Sequence, residues 1–202
     1  MTLQSLDIHK SYTYADYLKW TFDETVELIK GHLFPMATPS TNHQQVSSSL
    51  HYELFNFLKK SPCQVFSASF DVRFPKPLAQ RKTSKDIETV VQPDLCVICD
   101  LAKIDQKGCL GAPDWIIEIL SKSTAQKDQR DKFAVYQESG VREYWIVNID
   151  YKSIVINHLQ ADGRYQTQNI KTIGDTVNSF VFPDFSLAVE DIFKGLLEFE
   201  EE

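Results

Sequence analysis

Residues 113–121 read PDWIIEILS. The stretch is short, rich in β-branched and aromatic residues, and opens on Pro-Asp, which are the marks of a strand. Within its apolar run, 115–120, one residue is ionisable: Glu118. Alternate residues of a strand share a face, so Ile116, Glu118 and Leu120 point the same way. A carboxylate set alone among aliphatic neighbours costs several kcal/mol or stays protonated. Glu118 therefore needs a cation, a set of donors or an open cleft.

The flanks of this strand set the fold class. Residues 121–140, SKSTAQKDQRDKFAVYQESG, carry Ser and Thr cap candidates in front and Gly140 at the end, as a helix does. EYWIVNID, 143–150, is a near-continuous apolar strand. Strand, helix and strand over 113–149 predict one parallel crossover.

Upstream, Val46, Leu50, Leu54 and Phe57 recur at helical spacing, which predicts an amphipathic helix over 43–60 closed by Pro62. QVFSASFDVRF, 64–74, alternates and reads as one half-buried strand, followed by a polar loop over 75–90 and a strand over 91–98. A short helix at 12–20 capped near Thr13 and a strand pair turning at Lys30-Gly31 precede these. Downstream, 153–159 and 164–170 read as a hairpin turning at Ala161-Asp162-Gly163. A strand at 180–182 and a short helix at 190–198 close the chain. The expectation is one α/β domain over 1–202 with a mixed sheet and an acidic tail at about 198–202.

The bulk numbers exclude several classes. Hydrophobic residues make up 43% and charged residues 24%, ordinary for a globular protein. No apolar run approaches the roughly 20 residues of a membrane helix. The N-terminus lacks the basic-then-apolar layout of a secretion signal, so a cytoplasmic chain is expected. The net charge of −7 argues against a generic nucleic-acid coat. Residues 190–202 hold six acids and one Lys, which leaves only −2 over the other 189 residues, so a local basic surface remains open. Cys96 and Cys99 form C-x-x-C within a strand, where they fall on opposite faces and read as small buried hydrophobes. Reduced thiols are expected throughout.

Asp94, in VVQPDLCVI, stands at the start of the strand expected beside 113–120. Opposed side chains of antiparallel neighbours lie about 5 Å apart. Two carboxylates at that distance repel unless a cation joins them, and a hard ion such as Mg²⁺ suits oxygen ligands. Asp114 shares the parity of Glu118 but lies four residues, about 13 Å, along the same strand. It reads instead as a turn or strand-end cap. A side-chain cation would come from the next helix, where Lys127, Arg130 and Lys132 are candidates; Asp128 and Lys132 would alternatively pair on the helix surface.

Taken together, QPDLCVICD, GAPDWIIEILSKST and DQRDKFAVYQESGVREYW resemble the PD-(D/E)XK nuclease superfamily, and within it the bacterial Uma-two type of restriction endonuclease. YTYADYLKW, ELIKGHLF, TPSTNHQQ, FDVRF and FPDFSLAVEDIF extend the resemblance over nearly the whole chain. It implies a restriction-endonuclease-like core, a mixed central sheet flanked by helices with extra hairpins. It implies Asp94 as the motif aspartate and Glu118 as the second acid. The Lys that usually follows two residues later is replaced by Leu120, and the resemblance places it on the next helix at Lys132, with Lys122 and Lys127 as rivals. Lys122 is itself a departure from the usual Ser-Pro-Ser-Thr. The implied activity is hydrolysis of DNA phosphodiesters with Mg²⁺ or Mn²⁺ held by Asp94, Glu118 and the Ile119 carbonyl. Glu27, Gln44 and His43 would border the cleft. Lys76, Arg81, Lys82 and Lys85 in the 75–90 loop, with Lys127 and Arg130, would touch phosphates. Cutting both strands would favour a homodimer. Two other readings stay open: a catalytically silent nuclease fold that binds DNA or protein, and a metal-dependent hydrolase of another phosphoester.

Overall fold

In the computed structural model, residues 6–7, 9–22, 24–75, 83–120 and 127–199 are described, the last segment in side-chain detail from residue 130. The chain begins with one helical turn, α1 (Tyr14–Tyr17). The Thr13 N–H and hydroxyl both donate to Asp16 at its start. β1 (Val26–Ile29) and β2 (His32–Pro35) form a hairpin. Lys30 (φ 50°) and Gly31 (φ 84°) turn it, the paired positive φ values that match the twist of the strands. α2 (Thr41–Leu58) follows, with the Ser40 hydroxyl accepting the His43 N–H as its N-cap.

β3 (Gln64–Ser67), β4 (Val72–Pro75), β5 (Ile87–Val91) and β6 (Leu95–Ile98) come next. A short hairpin follows, β7 (Ile104–Asp105) and β8 (Gly108–Leu110). The central unit is β9 (Trp115–Leu120), α3 (Lys127–Ser139) and β10 (Glu143–Asn148). β11 (Ser153–Leu159), β12 (Tyr165–Thr167), β13 (Lys171–Thr172), β14 (Thr176–Asn178), β15 (Ser186–Ala188) and α4 (Val189–Ile192) complete the described elements.

Among the described residues, the strands form two mixed sheets and a separate antiparallel β14-β15 pair. One runs β2-β1-β5-β4-β8-β7; the other runs β12-β11-β10-β9-β6-β3, with β13 beside β11. β9 and β10 are parallel, Glu118 against Ile146, so the crossover read from 113–149 is present. Gly140, at φ 84°, ends α3 in a conformation other residues resist.

The period of β9 divides the core. Trp115, Ile117 and Ile119 face Val46, Leu50, Leu54 and Leu58 of α2, one residue per helical turn. Burying each such aliphatic side chain contributes about 1.5–3 kcal/mol. Ile116 faces the other way, with Tyr136 and Val135 of α3 and with Ile29, Val72, Phe74 and Val91 of the first sheet. Glu118 shares that second face.

Several expectations change. The stretch 64–74 is not one strand: β3 pairs with β6 and β4 with β5, in different sheets. Between them the backbone crosses from sheet to sheet, the Ala68 N–H donating to the Asp94 carbonyl and the Asp71 carbonyl accepting from Cys109. The strand expected over 91–98 starts earlier and breaks, because Pro93 brings no N–H to a ladder. β5 thus occupies part of the expected 75–90 loop. Residues 180–182 form no strand, since the Phe180 and Val181 N–H groups donate to the Glu143 carboxylate instead. The first and last helices are single turns. The thiols are not all reduced: Cys63 and Cys99 are disulfide-bonded. The antiparallel register that sets Gln64 against Ile98 carries Cys63 to Cys99, a pairing invisible within the C-x-x-C itself. Cys96 and Cys109 are free and buried. Among the described residues, no helix is long and apolar enough to cross a membrane.

Candidate active site

β6 and β9 run antiparallel with Leu95 against Ile117, a register that sets Asp94 against Glu118. Each acid is held by its own partners. Asp94 Oδ2 accepts the Ile119 N–H at 2.7 Å, and Oδ1 lies 3.2 Å from His43 Nε2 at the start of α2. Glu118, 6% exposed, accepts at Oε1 from the Tyr136 hydroxyl at 2.5 Å and from Lys132 Nζ at 3.0 Å. Both donors come from α3, one turn apart. Lys132 reaches a second acid, Glu27 of β1, at 2.9 Å. Glu27 Oε1 in turn accepts the Gln92 N–H at 2.8 Å. A buried triad, Glu27–Lys132–Glu118, therefore ties the first sheet, α3 and β9 together beside Asp94.

The electrostatics follow from burial against charge. Burial pushes the Glu118 carboxyl up to about 7; Lys132 works against it, and the Asp94 and Glu27 charges add to it. Burial by itself would lower the Lys132 pKa, but the Glu118 and Glu27 carboxylates raise it above the ordinary lysine value. His43 behaves similarly. Burial acts to lower it, while the Asp94 hydrogen bond, the Asp94 and Glu118 charges and a backbone hydrogen bond at Ile119 together raise it. Among the described residues, the site holds more carboxylates than cations.

That donor set fits one hard divalent ion. Among the described residues, no group of three or more His, Cys, Asp or Glu side chains stands arranged as a metal cage. Asp94 lines the open groove and Glu118 lies buried behind it; one or two carboxylates, with phosphate oxygens and water completing the shell, is the way Mg²⁺ is ordinarily bound.

Of the residues singled out in the sequence, Asp94, Glu118, Ile119, Lys132, Glu27 and His43 come together, with Gln44 lining the groove that opens at His43 and Asp94. Lys132 turns inward to the two glutamates rather than lying along the helix surface. Asp114 takes a structural place, accepting from the Cys99 N–H and from Arg142. Lys85 and Arg130 are exposed. Lys76, Arg81, Lys82 and Lys122, and the Lys127 side chain, lie outside the described residues. Tyr144 and Trp145 are core. Tyr136 is also fully buried, yet its hydroxyl is part of the site. Its position four residues after Lys132 puts both on one helix face. Gln92 was missed altogether, because it acts through its backbone.

Comparison with known proteins bears on the family and the fold. The family model "Uma2: Putative restriction endonuclease" matches residues 14–190. Two uncharacterized proteins of Synechocystis are similar in sequence. One is 24% identical over 192 residues, covering 90% of both chains. The other is 26% identical over 171 residues, covering 82% of this chain and 90% of that one. A crystal structure from Anabaena variabilis, titled as a putative nuclease belonging to DUF820, superposes with a TM-score of 0.70 at 18% identity, covering 90% of this chain and 97% of that one. At that identity the likeness speaks for the fold. With the match spanning residues 14–190, the chain belongs to the Uma2 family, whose model carries the description "Putative restriction endonuclease".

Proposed function

We propose that the protein is a divalent-metal-dependent endonuclease that hydrolyses DNA phosphodiester bonds. The observation that carries this reading is the convergence of Asp94 and Glu118 from adjacent antiparallel strands with Lys132 of α3, Asp94 lining an open groove and the other two buried behind it. Asp94, Glu118 and the Ile119 carbonyl would hold Mg²⁺ or Mn²⁺. When bound, such an ion polarises a phosphate and lowers the pKa of water.

The chain's own groups supply the rest. The Ile119 N–H fixes the Asp94 carboxylate, and Tyr136 fixes Glu118, so neither acid has to reorganise. Lys132 carries a permanent charge in a water-poor setting, where it would orient the attacking water or offset charge developing on the phosphate. Glu27 positions Lys132 from the far side. His43 and Gln44 border the entrance, with His43 already directed at Asp94. A twofold pair of chains would offer one such site to each strand of a duplex.

A second reading, a silent nuclease fold that binds DNA or protein, draws on one observation: Lys132 is closed between two glutamates, as a purely structural ion network would be. One experiment separates the two. Titration calorimetry with Mn²⁺ and nicking of supercoiled plasmid are measured on wild type, Asp94→Asn and Glu118→Gln. The nuclease reading expects binding and nicking in wild type and the loss of both in each variant, with the fold retained. Nicking at the wild-type rate in both variants overturns it. A wild type that takes up no Mn²⁺ and nicks nothing leaves the silent module.

A further inference from the structure

We infer that the groove along the exposed side of α2 holds unpaired nucleotides of the strand whose phosphate lies at Asp94, making the preferred substrate single-stranded or frayed DNA rather than intact duplex. This rests on the reading of the Asp94–Glu118 centre as the place of phosphodiester chemistry.

The groove encloses about 540 Å³ and runs from Asp94 and His43 along α2 to Phe55. From His43 to Phe55 is twelve residues, roughly 18 Å at 1.5 Å per residue, which is longer than one nucleotide. Its lining is unlike a phosphate track. Tyr52 and Phe55, three residues apart on one helix face, are 64% and 54% exposed. The His51 ring stacks on Phe55, with centroids 6.3 Å apart and planes 17° apart. His51 Nδ1 is hydrogen-bonded to the Ser67 hydroxyl at 2.6 Å across the groove, which holds that ring in place. Ser47 and Ser48 supply small polar groups between the rings and the acid. Among the described residues, no lysine or arginine lines the groove.

Solvent-exposed aromatic side chains, with small hydrogen-bonding groups between them and the acid, suit the faces and edges of bases. In a duplex those faces are already stacked on one another. An unpaired strand offers them. Exposed Lys59 places Nζ 5.7 Å from the Phe55 ring at the outer end, where a backbone phosphate would emerge. The inner end is Asp94, where an ion would receive the scissile phosphate. The aromatic patch is therefore continuous with the proposed catalytic centre and not a separate face.

The test is fluorescence anisotropy of labelled (dT)20 and of a labelled 20-base-pair duplex in EDTA, which removes cleavage and any metal contribution. Wild type is expected to bind (dT)20 about tenfold tighter than the duplex, and Tyr52→Ala/Phe55→Ala to lose about tenfold or more of (dT)20 affinity, the scale of lost base stacking. Circular dichroism melting checks that the double variant folds; if it does not, Tyr52→Leu alone carries the same expectation. Unchanged (dT)20 affinity in a folded variant overturns the inference, as does preference for duplex. A double variant that turns a dimer into a monomer in sedimentation while binding (dT)20 normally also overturns it, and assigns the face to a second copy of the chain. Glu118→Gln separates this inference from the one beneath it. If Glu118→Gln nicks DNA normally, the metal centre is wrong whatever the groove binds. If it binds (dT)20 like wild type and does not nick, both readings stand.

Discussion

Lys132→Met removes the ammonium that joins Glu27 and Glu118 while keeping most of the side chain's volume, so the effect is electrostatic rather than a cavity. Lys132 is 8% exposed and lies 2.9 Å from one carboxylate and 3.0 Å from the other. Breaking a buried ionic network by removing one partner costs about 3–5 kcal/mol, because the charges left behind have neither water nor counter-ion. For a chain of this size each kcal/mol shifts the melting temperature by about 2–4 °C. The expected fall is therefore roughly 6–20 °C, read by circular dichroism at pH 8 in EDTA.

The same reasoning fixes how that loss varies with pH. The folded pKa of Glu118 is already raised to about 7 with Lys132 present, and removing the lysine raises it further. A carboxylate whose folded pKa exceeds its unfolded value destabilises the fold above that folded pKa. The penalty fades as pH falls toward the ordinary glutamate value. The gap between variant and wild type should thus be narrower at pH 5.5 than at pH 8. Adding Glu118→Gln to Lys132→Met should recover part of the loss, since the double variant leaves one fewer unpaired charge. A Lys132→Met variant that melts within about 2 °C of wild type at pH 8 would show that the triad is not a buried ion network, and the argument for Lys132 would fail with it.

Two further outcomes are expected. The Cys63–Cys99 disulfide spans 36 residues, so closing that loop contributes about 3–4 kcal/mol in a chain-entropy account; dithiothreitol should lower the wild-type melting temperature and leave Cys63→Ser unmoved, and equal wild-type melts with and without reductant would refute this. Glu143 is buried and accepts from Trp145 Nε1, the Ser179 hydroxyl and the Phe180 and Val181 N–H groups. Glu143→Gln turns an amide NH₂ toward some of those donors, which should cost about 2–3 kcal/mol and speed hydrogen exchange at 180 and 181. Burial raises the Glu143 pKa against those donors, so wild-type stability should decline as pH rises from the ordinary glutamate value through the raised one. That slope should flatten in Glu143→Gln, and an identical pH profile in the two proteins would count against the assignment.

The chain's local pattern determined which residues of 113–121 share a face, because strand alternation is a property of the backbone alone. It likewise determined the α2 stripe at Val46, Leu50 and Leu54, the Lys30-Gly31 hairpin and the crossover through α3. Asp94 and Glu118 were legible as partners because neighbouring strands place opposed residues within reach. Only the tertiary structure decided that Lys132 turns inward, because the acid that holds it from the far side, Glu27, is brought there by a different sheet. Only it decided that 64–74 divides between two sheets, since an alternating strand reads the same whichever neighbour it pairs with. The Cys63–Cys99 bond and the second duty of Tyr136 belong to the same class: a side chain's type and spacing state which face it takes, and the packing of distant elements decides what stands opposite.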